Sequence, residues 1–238
     1  MEHTSANRHV LTHVHHLLAG PLFASQGGPL TAALEEGDAD SKVLLIVGDN
    51  ASGKSFMVQL LAGRLNQEKV EPIQVSMKYR TKAGMHQSFM YGPLGDAQDS
   101  TGNISINVLG SAFNTAENRE TPCWLMLDEP DMGLADSYCA ALGTYVANFG
   151  NRFAGTRCEG LVVVTHSRKL VNSLLFSLEK KPHVLCLSSY EGPDQLQAWL
   201  EDERERTLEE LTQIGTKSLA LFRSITVIKD TLAAQTRR

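Results

Sequence analysis

The sequence lacks any apolar run that reaches the roughly 18 residues of a membrane-spanning helix. Its polar, histidine-rich first residues also lack the charged segment and apolar core of a secretory signal. We therefore expect a cytoplasmic protein without direct membrane insertion.

Cysteine is scarce, with four widely spaced residues and no C-x-x-C pair. This argues against a zinc site or a disulfide and favours small core side chains in a reducing compartment. A large excess of positive charge is also absent, since the net charge is −5. Overall electrostatics therefore do not favour nucleic acid or an anionic membrane as a partner.

The sequence does contain enough apolar residues, 42% of 238, for one compact domain with or without a small appendage. Short apolar runs bounded by polar residues predict strands at 43–47, 72–80, 87–91, 124–127, 161–165 and 184–187. Apolar residues at helical spacing predict helices at 53–66, 104–116, 135–149 and 168–176. This alternation predicts an α/β fold with a mostly parallel sheet flanked by helices.

The two ends of the chain differ from this core, which we assign to residues 41–192. Residues 1–40 are predicted to form an N-terminal helix followed by a loop. Residues 193–238 are predicted to be helical, with an interruption at Gly215, and their apolar side chains could pack on the domain or on a partner. Near the start, His9, His13 and His16 share one helical face, which could bind a metal or simply be exposed.

Residues 48–55 match the phosphate-binding pattern G-x-x-x-x-G-K-[ST], after an apolar strand and before a helix. Glycines let the backbone approach phosphate closely, and successive N–H groups at a helix start face the anion. Lys54 is predicted to reach the β- and γ-phosphates, and Ser55 to offer its hydroxyl to Mg²⁺. We thus predict ATP and Mg²⁺ as cofactors. The predicted nucleotide contacts in this loop are Gly48, Asp49, Asn50, Ala51, Ser52, Gly53, Lys54, Ser55 and Phe56.

Two further strands end in residues suited to phosphate chemistry. The strand at 124–127 is followed by Asp128, predicted to hold Mg²⁺, and Glu129, predicted to polarise the attacking water. The strand at 161–165 is followed by His166, which could contact the γ-phosphate or that water. Lys54, Glu129 and His166 are therefore the predicted catalytic residues, and ATP hydrolysis is the expected activity.

These three motifs, in this order, resemble those of the ABC-type ATPases. The anchors are the phosphate loop, Leu127-Asp128-Glu129-Pro130 and Thr165-His166-Ser167, and the resemblance covers roughly residues 42–187.

The family also has a signature loop, which residues 99–103 match through Ser100 and Gly102; the alternative is an ordinary helix cap. The resemblance implies that this loop binds the nucleotide held by a second subunit, and so an ATP-dependent homodimer. It also implies a glutamine that senses Mg²⁺, for which Gln87 is our choice and Gln74 the alternative.

The segment before residues 99–103 is too short for the long coiled coil of SMC-like proteins and for most of the helical subdomain of transporter ATPases. The chain therefore resembles a minimal stand-alone head, like those of repair or anti-phage defence ATPases. This implies a nucleotide-driven dimerisation switch for a protein effector or a DNA-related process. The alternatives are the ATP-binding subunit of a membrane transporter and a nucleotide-dependent binding module with little turnover. Lys78, Arg80 and Lys82 could contact DNA or form a solvated strand face.

Overall fold

A six-stranded sheet forms the centre of the molecule in the computed structural model, which describes residues 10–76, 101–153, 155–187, 190 and 194–236. The strands are β1 (Ala33–Glu35), β2 (Val43–Val47), β3 (Glu71–Ser76), β4 (Cys123–Asp128), β5 (Cys158–Thr165) and β6 (His183–Cys186). Their order across the sheet is β1-β6-β2-β5-β4-β3. All neighbours pair in parallel except β1, which is antiparallel to β6. The predicted mostly parallel α/β sheet is therefore confirmed.

Helices cover both faces of this sheet. They are α1 (Val10–Leu18), α2 (Lys54–Gln67), α3 (Thr101–Glu117), α4 (Cys139–Arg152), α5 (Arg168–Ser177), α6 (Gln195–Glu201) and α7 (Leu208–Thr236). Apolar side chains of α1 and α2 form one core with one face of the sheet, and those of α3 to α6 form a second core with the other face. Strand β2 is buried throughout because alternate side chains enter the two cores.

The sheet brings the ends of three strands to one edge. Strand β5 lies between β2 and β4 and pairs with both in parallel. The carboxyl ends of β2, β5 and β4 therefore meet at the edge where ligands bind in open α/β sheets. The phosphate loop follows β2, His166 follows β5, and Glu129 follows β4.

Three expectations about local structure need correction. The loop expected after the N-terminal helix, within residues 1–40, contains strand β1. Its three residues are too few for a periodic pattern, and its partner β6 is distant in sequence. The helix expected at 135–149 begins later, at Cys139, after a short 3-10 turn at Asp136–Tyr138. Helix α7 continues through Gly215, because one glycine lowers helix stability without breaking a long helix.

Among the described residues, no helix is both long enough and apolar enough to span a bilayer. The four cysteines are all buried, in agreement with the prediction of small core side chains, and all are free thiols. The predicted strand at 87–91, Lys78, Arg80, Lys82 and His9 lie outside the described residues.

His13 is buried rather than displayed on an exposed helix face. Its ring packs edge-on against Trp124, with 5.1 Å between the ring centroids, and its Nδ1 lies 3.7 Å from the Glu68 Oε1. His16, by contrast, is exposed. Within the described part of the chain, no group of three or more potential ligands is placed to hold a metal ion.

Burial lowers the pKa of His13 below 6.5, partly offset by the charge of Glu68. Between the lowered pKa and 6.5, the unfolded chain binds a proton that the folded chain does not, so stability falls as the pH falls through this window. We expect His13→Phe to flatten the fall in the free energy of unfolding between about pH 7 and pH 5. Urea unfolding across that range measures this, and the exposed His16→Phe is the control. Equal slopes in the parent and His13→Phe would contradict it.

Candidate nucleotide site

At two positions, the loop between β2 and α2 has a backbone conformation that favours glycine. Gly48 and Gly53 have φ values of 148° and 97°, and Ala51, at 63°, also lies in the left-handed region. A Cβ atom on Gly48 would stand 2.3 Å from the Leu187 carbonyl oxygen. The loop thus forms a tight cradle at the N-terminus of α2, where backbone N–H groups favour an anion.

Lys54 is the first residue of α2, and its side chain lies against this cradle. Its Nζ donates hydrogen bonds to the backbone oxygens of Gly48, at 2.8 Å, and Asp49, at 2.7 Å. The residue is only 5% exposed. A positive charge is therefore held against the loop, where it can attract phosphate oxygens.

Asp128 ends β4 and is held by the neighbouring strand. The Ser76 Oγ donates a 3.3 Å hydrogen bond to the Asp128 Oδ2, and these two residues are register partners in β3 and β4. Asp128 is 7% exposed. Sequence reasoning missed Ser76 because it placed the end of this strand at residue 80, and the register of a parallel pair cannot be deduced from one strand.

Glu129 follows directly and has an unusual backbone, with φ of 53°. Its N–H donates a 2.8 Å hydrogen bond to the Val164 oxygen of β5, which fixes the turn out of β4. Left-handed non-glycine residues are concentrated at functional sites, where surrounding contacts enforce the strain. The residue is only 8% exposed, and it lines the cavity beside the phosphate loop.

His166 is the partner of Glu129 across the strand ends. The His166 Nδ1 lies 3.8 Å from the Glu129 Oε1, which is longer than a hydrogen bond but close enough for an ion pair. This side-chain interaction with Glu129 raises the pKa of His166 above its ordinary value, although burial opposes it. A protonated His166 would therefore stabilise a negative charge beside Glu129.

Asp131 and Thr165 hold the two strand ends together. The Thr165 Oγ1 donates a 2.8 Å hydrogen bond to the buried Asp131 Oδ1 and accepts one from the Ser167 N–H at 2.9 Å. This links the loop after Glu129 to the segment that carries His166. Sequence reasoning assigned no role to Asp131, although an acidic residue beside the Asp128–Glu129 pair was a signal for it.

Asp49 ties the phosphate loop to residues near the C-terminus. The Arg206 Nη2 donates hydrogen bonds of 2.8 Å to the Asp49 Oδ2 and to the Asp202 Oδ2, and Arg168 lies 3.7 Å from Asp49. Tyr190 donates to Asp202, and these bonds, that of Tyr190 foremost, lower the pKa of Asp202 to about 2. No local pattern in the sequence indicates this network, because Asp49 and Arg206 are far apart along the chain.

Helix α7 closes one side of the site. A cavity of about 260 Å³ is bounded by the phosphate loop, the start of α2, Glu129 and one face of α7. The α7 residues that line it are Ser218, Leu221, Phe222 and Ile225. The sequence predicted apolar packing for this segment but not its position over the loop.

The predicted site residues fall into two groups. Residues 48–56, Asp128, Glu129 and His166 lie together at one edge of the sheet. Gln87 and Ser100 lie outside the described residues, and Gly102 lies in the first turn of α3. Gln74 is exposed in β3, two residues before Ser76, the register partner of Asp128.

The residues at this site could bind a nucleoside triphosphate together with Mg²⁺. The glycine cradle and Lys54 provide donors and positive charge for phosphate, while Ser55 and Asp128 provide the oxygen ligands that Mg²⁺ prefers. Such a site needs few protein ligands, since phosphate oxygens and waters complete the octahedron. The sheet, its helices and this loop are consistent with a P-loop nucleotide-binding fold.

Comparisons with known proteins add only a distant structural likeness. No protein-family model matches the sequence, and no curated protein matches it. Among solved structures, Cdc6p from Pyrobaculum aerophilum is similar, with a TM-score of 0.37 and 16% sequence identity. The match covers 67% of this chain and 43% of that one, so this chain spans less than half the length of that protein.

Proposed function

We propose that this protein binds ATP with Mg²⁺ and hydrolyses it to ADP and phosphate. The observation that carries the proposal is the meeting, at one edge of the sheet, of the phosphate cradle with Glu129 and His166 on adjacent strand ends. A cradle alone supports phosphate binding. An acidic residue in an enforced conformation beside it adds a group that can act on water.

In the proposed mechanism, a few residues bind the phosphates, hold the metal ion, activate water and stabilise charge. The loop N–H groups and Lys54 bind the β- and γ-phosphates, and Ser55 with Asp128 would hold Mg²⁺, which neutralises charge on the phosphates when bound. Glu129 orients the attacking water and accepts its proton. Glu129 raises the pKa of His166, and in its protonated form His166 would stabilise negative charge that develops on the γ-phosphate.

We further propose that the ATPase is of ABC type and works as a nucleotide-driven dimerisation switch. The order of the three motifs supports this, and the signature residues Ser100 and Gly102 of a second chain would complete each site. The output would be the engagement of a protein effector or of DNA, in a repair or anti-phage defence process.

A nucleotide-dependent binding module with little turnover is the second candidate. The position of α7 over the phosphate loop favours it, since a covered site turns over slowly. Tight ATP binding with phosphate release no faster than a buffer blank would support this candidate over the ATPase.

Replacing Lys54 tests whether this loop is the nucleotide site. Charge-assisted hydrogen bonds contribute about 1.5–3 kcal/mol, so we expect Lys54→Ala to weaken ATP binding by about 10- to 150-fold. Titration calorimetry with ATP and Mg²⁺ measures the affinity, and thermal unfolding checks that the variant is folded. The control is Lys180→Ala, an exposed lysine paired with Asp40 away from the site. An unchanged affinity in folded Lys54→Ala would rule out this loop as the site.

A further inference from the structure

Within its described side chains, helix α7 packs most deeply on the protein where it passes the phosphate loop. Along its described side chains, Ile225 is 4% exposed and Leu221 packs against the core formed by α1 and α2. Five large apolar residues of the helix are exposed, namely Leu208, Leu211, Leu219, Phe222 and Val227, whereas Ile214 and Ile228 are half-buried. Among the side chains described for α7, the deepest packing therefore lies in the turn from Leu221 to Ile225.

This turn lies directly on the proposed phosphate site. Leu221, Phe222 and Ile225 share the cavity of about 260 Å³ with the loop and with Glu129. A Leu221 methyl carbon would stand 3.4 Å from a Cβ built on Gly53, so it packs against the loop backbone. The contact therefore reaches Gly53, the residue immediately before α2.

A polar contact holds the same segment at a second point. Arg206, two residues before α7 begins, donates a hydrogen bond to the Asp49 side chain of the loop. The loop is thus contacted by charge at Asp49 and by apolar groups at Gly53. Both contacts come from the segment after residue 201, which is otherwise largely exposed.

The apolar contact is chemically unsuited to bound phosphate. Leucine, phenylalanine and isoleucine offer no hydrogen-bond donor, and charge buried against apolar groups loses hydration without replacement. A triphosphate on the loop, with the water that Glu129 needs, would have to replace its hydration on the side of the cavity that these apolar residues of α7 line. The docked helix and the loaded site are therefore alternatives.

We propose that α7 is an autoinhibitory strap that docks on the phosphate loop and is displaced when ATP with Mg²⁺ binds. This inference rests on the proposed function, because it assigns a regulator to the same site. By linkage, the apparent affinity for ATP is the intrinsic affinity reduced by the fraction of molecules whose strap is open. Weakening the strap therefore tightens nucleotide binding.

The first test weakens the strap at its most buried residue. We expect Ile225→Ser to bind a non-hydrolysable ATP analogue at least about tenfold more tightly, the change expected when a site open one-tenth of the time becomes open throughout. Val227→Ser, at an exposed position on the same helix, should bind as the parent does. Unchanged binding in Ile225→Ser would overturn the strap. Weaker binding of the analogue with unchanged binding of tripolyphosphate would also overturn the strap. That result would indicate that α7 contacts the adenine of the nucleotide.

The second test follows the helix itself and does not depend on one destabilised variant. Ile225→Cys is expected to react with a thiol reagent several-fold faster when the ATP analogue and Mg²⁺ are added, whereas Val227→Cys should react at one rate. The parent, whose cysteines are all buried, gives the background. Equal or slower labelling of Ile225→Cys with bound nucleotide would overturn the strap. Calorimetry on the same samples separates this from failure of the proposed function, in which the nucleotide does not bind at all.

Discussion

Replacing Glu129 with glutamine is expected to slow ATP hydrolysis by about 10²- to 10⁴-fold and to leave ATP affinity nearly unchanged. The amide keeps the size of the side chain and can still hold water, but it cannot accept a proton. The Val164 oxygen still receives the backbone N–H of residue 129, so the turn after β4 should persist. The effect should therefore fall on turnover rather than on binding.

Phosphate release under saturating ATP measures this effect, with titration calorimetry for affinity. The control is Glu36→Gln, an exposed glutamate that bonds His15 near the amino end of β6, at the opposite edge of the sheet from the site, and its rate should match the parent. If Glu129→Gln turned over at the parent rate, another group would have to be the base. A loss of binding together with rate would indicate a structural role instead.

A second readout reports on the pair that Glu129 forms with His166. Because Glu129 raises the pKa of His166, the glutamine variant should titrate this imidazole at lower pH, as followed by NMR. The same variant, loaded with ATP, tests the dimerisation switch by light scattering. A persistent monomer at saturating nucleotide would contradict the role proposed for Ser100 and Gly102 while leaving the hydrolysis proposal intact.

The sequence predicted the parts of the site that depend on local order along the chain. Strand β2 runs over the predicted residues, and the phosphate loop, Asp128, Glu129 and His166 each follow a strand that the pattern identified. Apolar runs and fixed motif spacing carry this information because both are properties of neighbouring residues. Because the strands are parallel, their carboxyl ends then lie at one edge of the sheet, and no additional sequence pattern is needed to predict this.

The features that the sequence did not predict depend on contacts between distant segments. The bond from Ser76 to Asp128 depends on strand register, and the bond from Thr165 to Asp131 on the order of strands in the sheet. The position of α7 depends on which of several apolar surfaces accepts its apolar turn. Periodicity shows that a helix has an apolar face, but it does not show what that face covers.

Replacing Gly48 with alanine is expected to lower the free energy of unfolding by roughly 2–4 kcal/mol, through a steric conflict of the kind that produces large mutational effects. The new Cβ would stand 2.3 Å from the Leu187 backbone oxygen, and φ at 148° disfavours any side chain. Relief requires the loop to move, so ATP affinity should also fall at least about tenfold, because the N–H groups leave their positions around the anion.

The matched control for this substitution is another glycine of the same region. Gly63 lies inside α2, and a Cβ built on it would meet nothing within 4 Å. Gly63→Ala should therefore raise the free energy of unfolding by about 0.5–1 kcal/mol, because alanine favours the helix. Urea unfolding and ATP titration on both variants give the comparison. Similar stabilities and affinities in the two variants would mean that the loop does not need the backbone of Gly48, and the cradle on which the proposed function depends would then lack its physical basis.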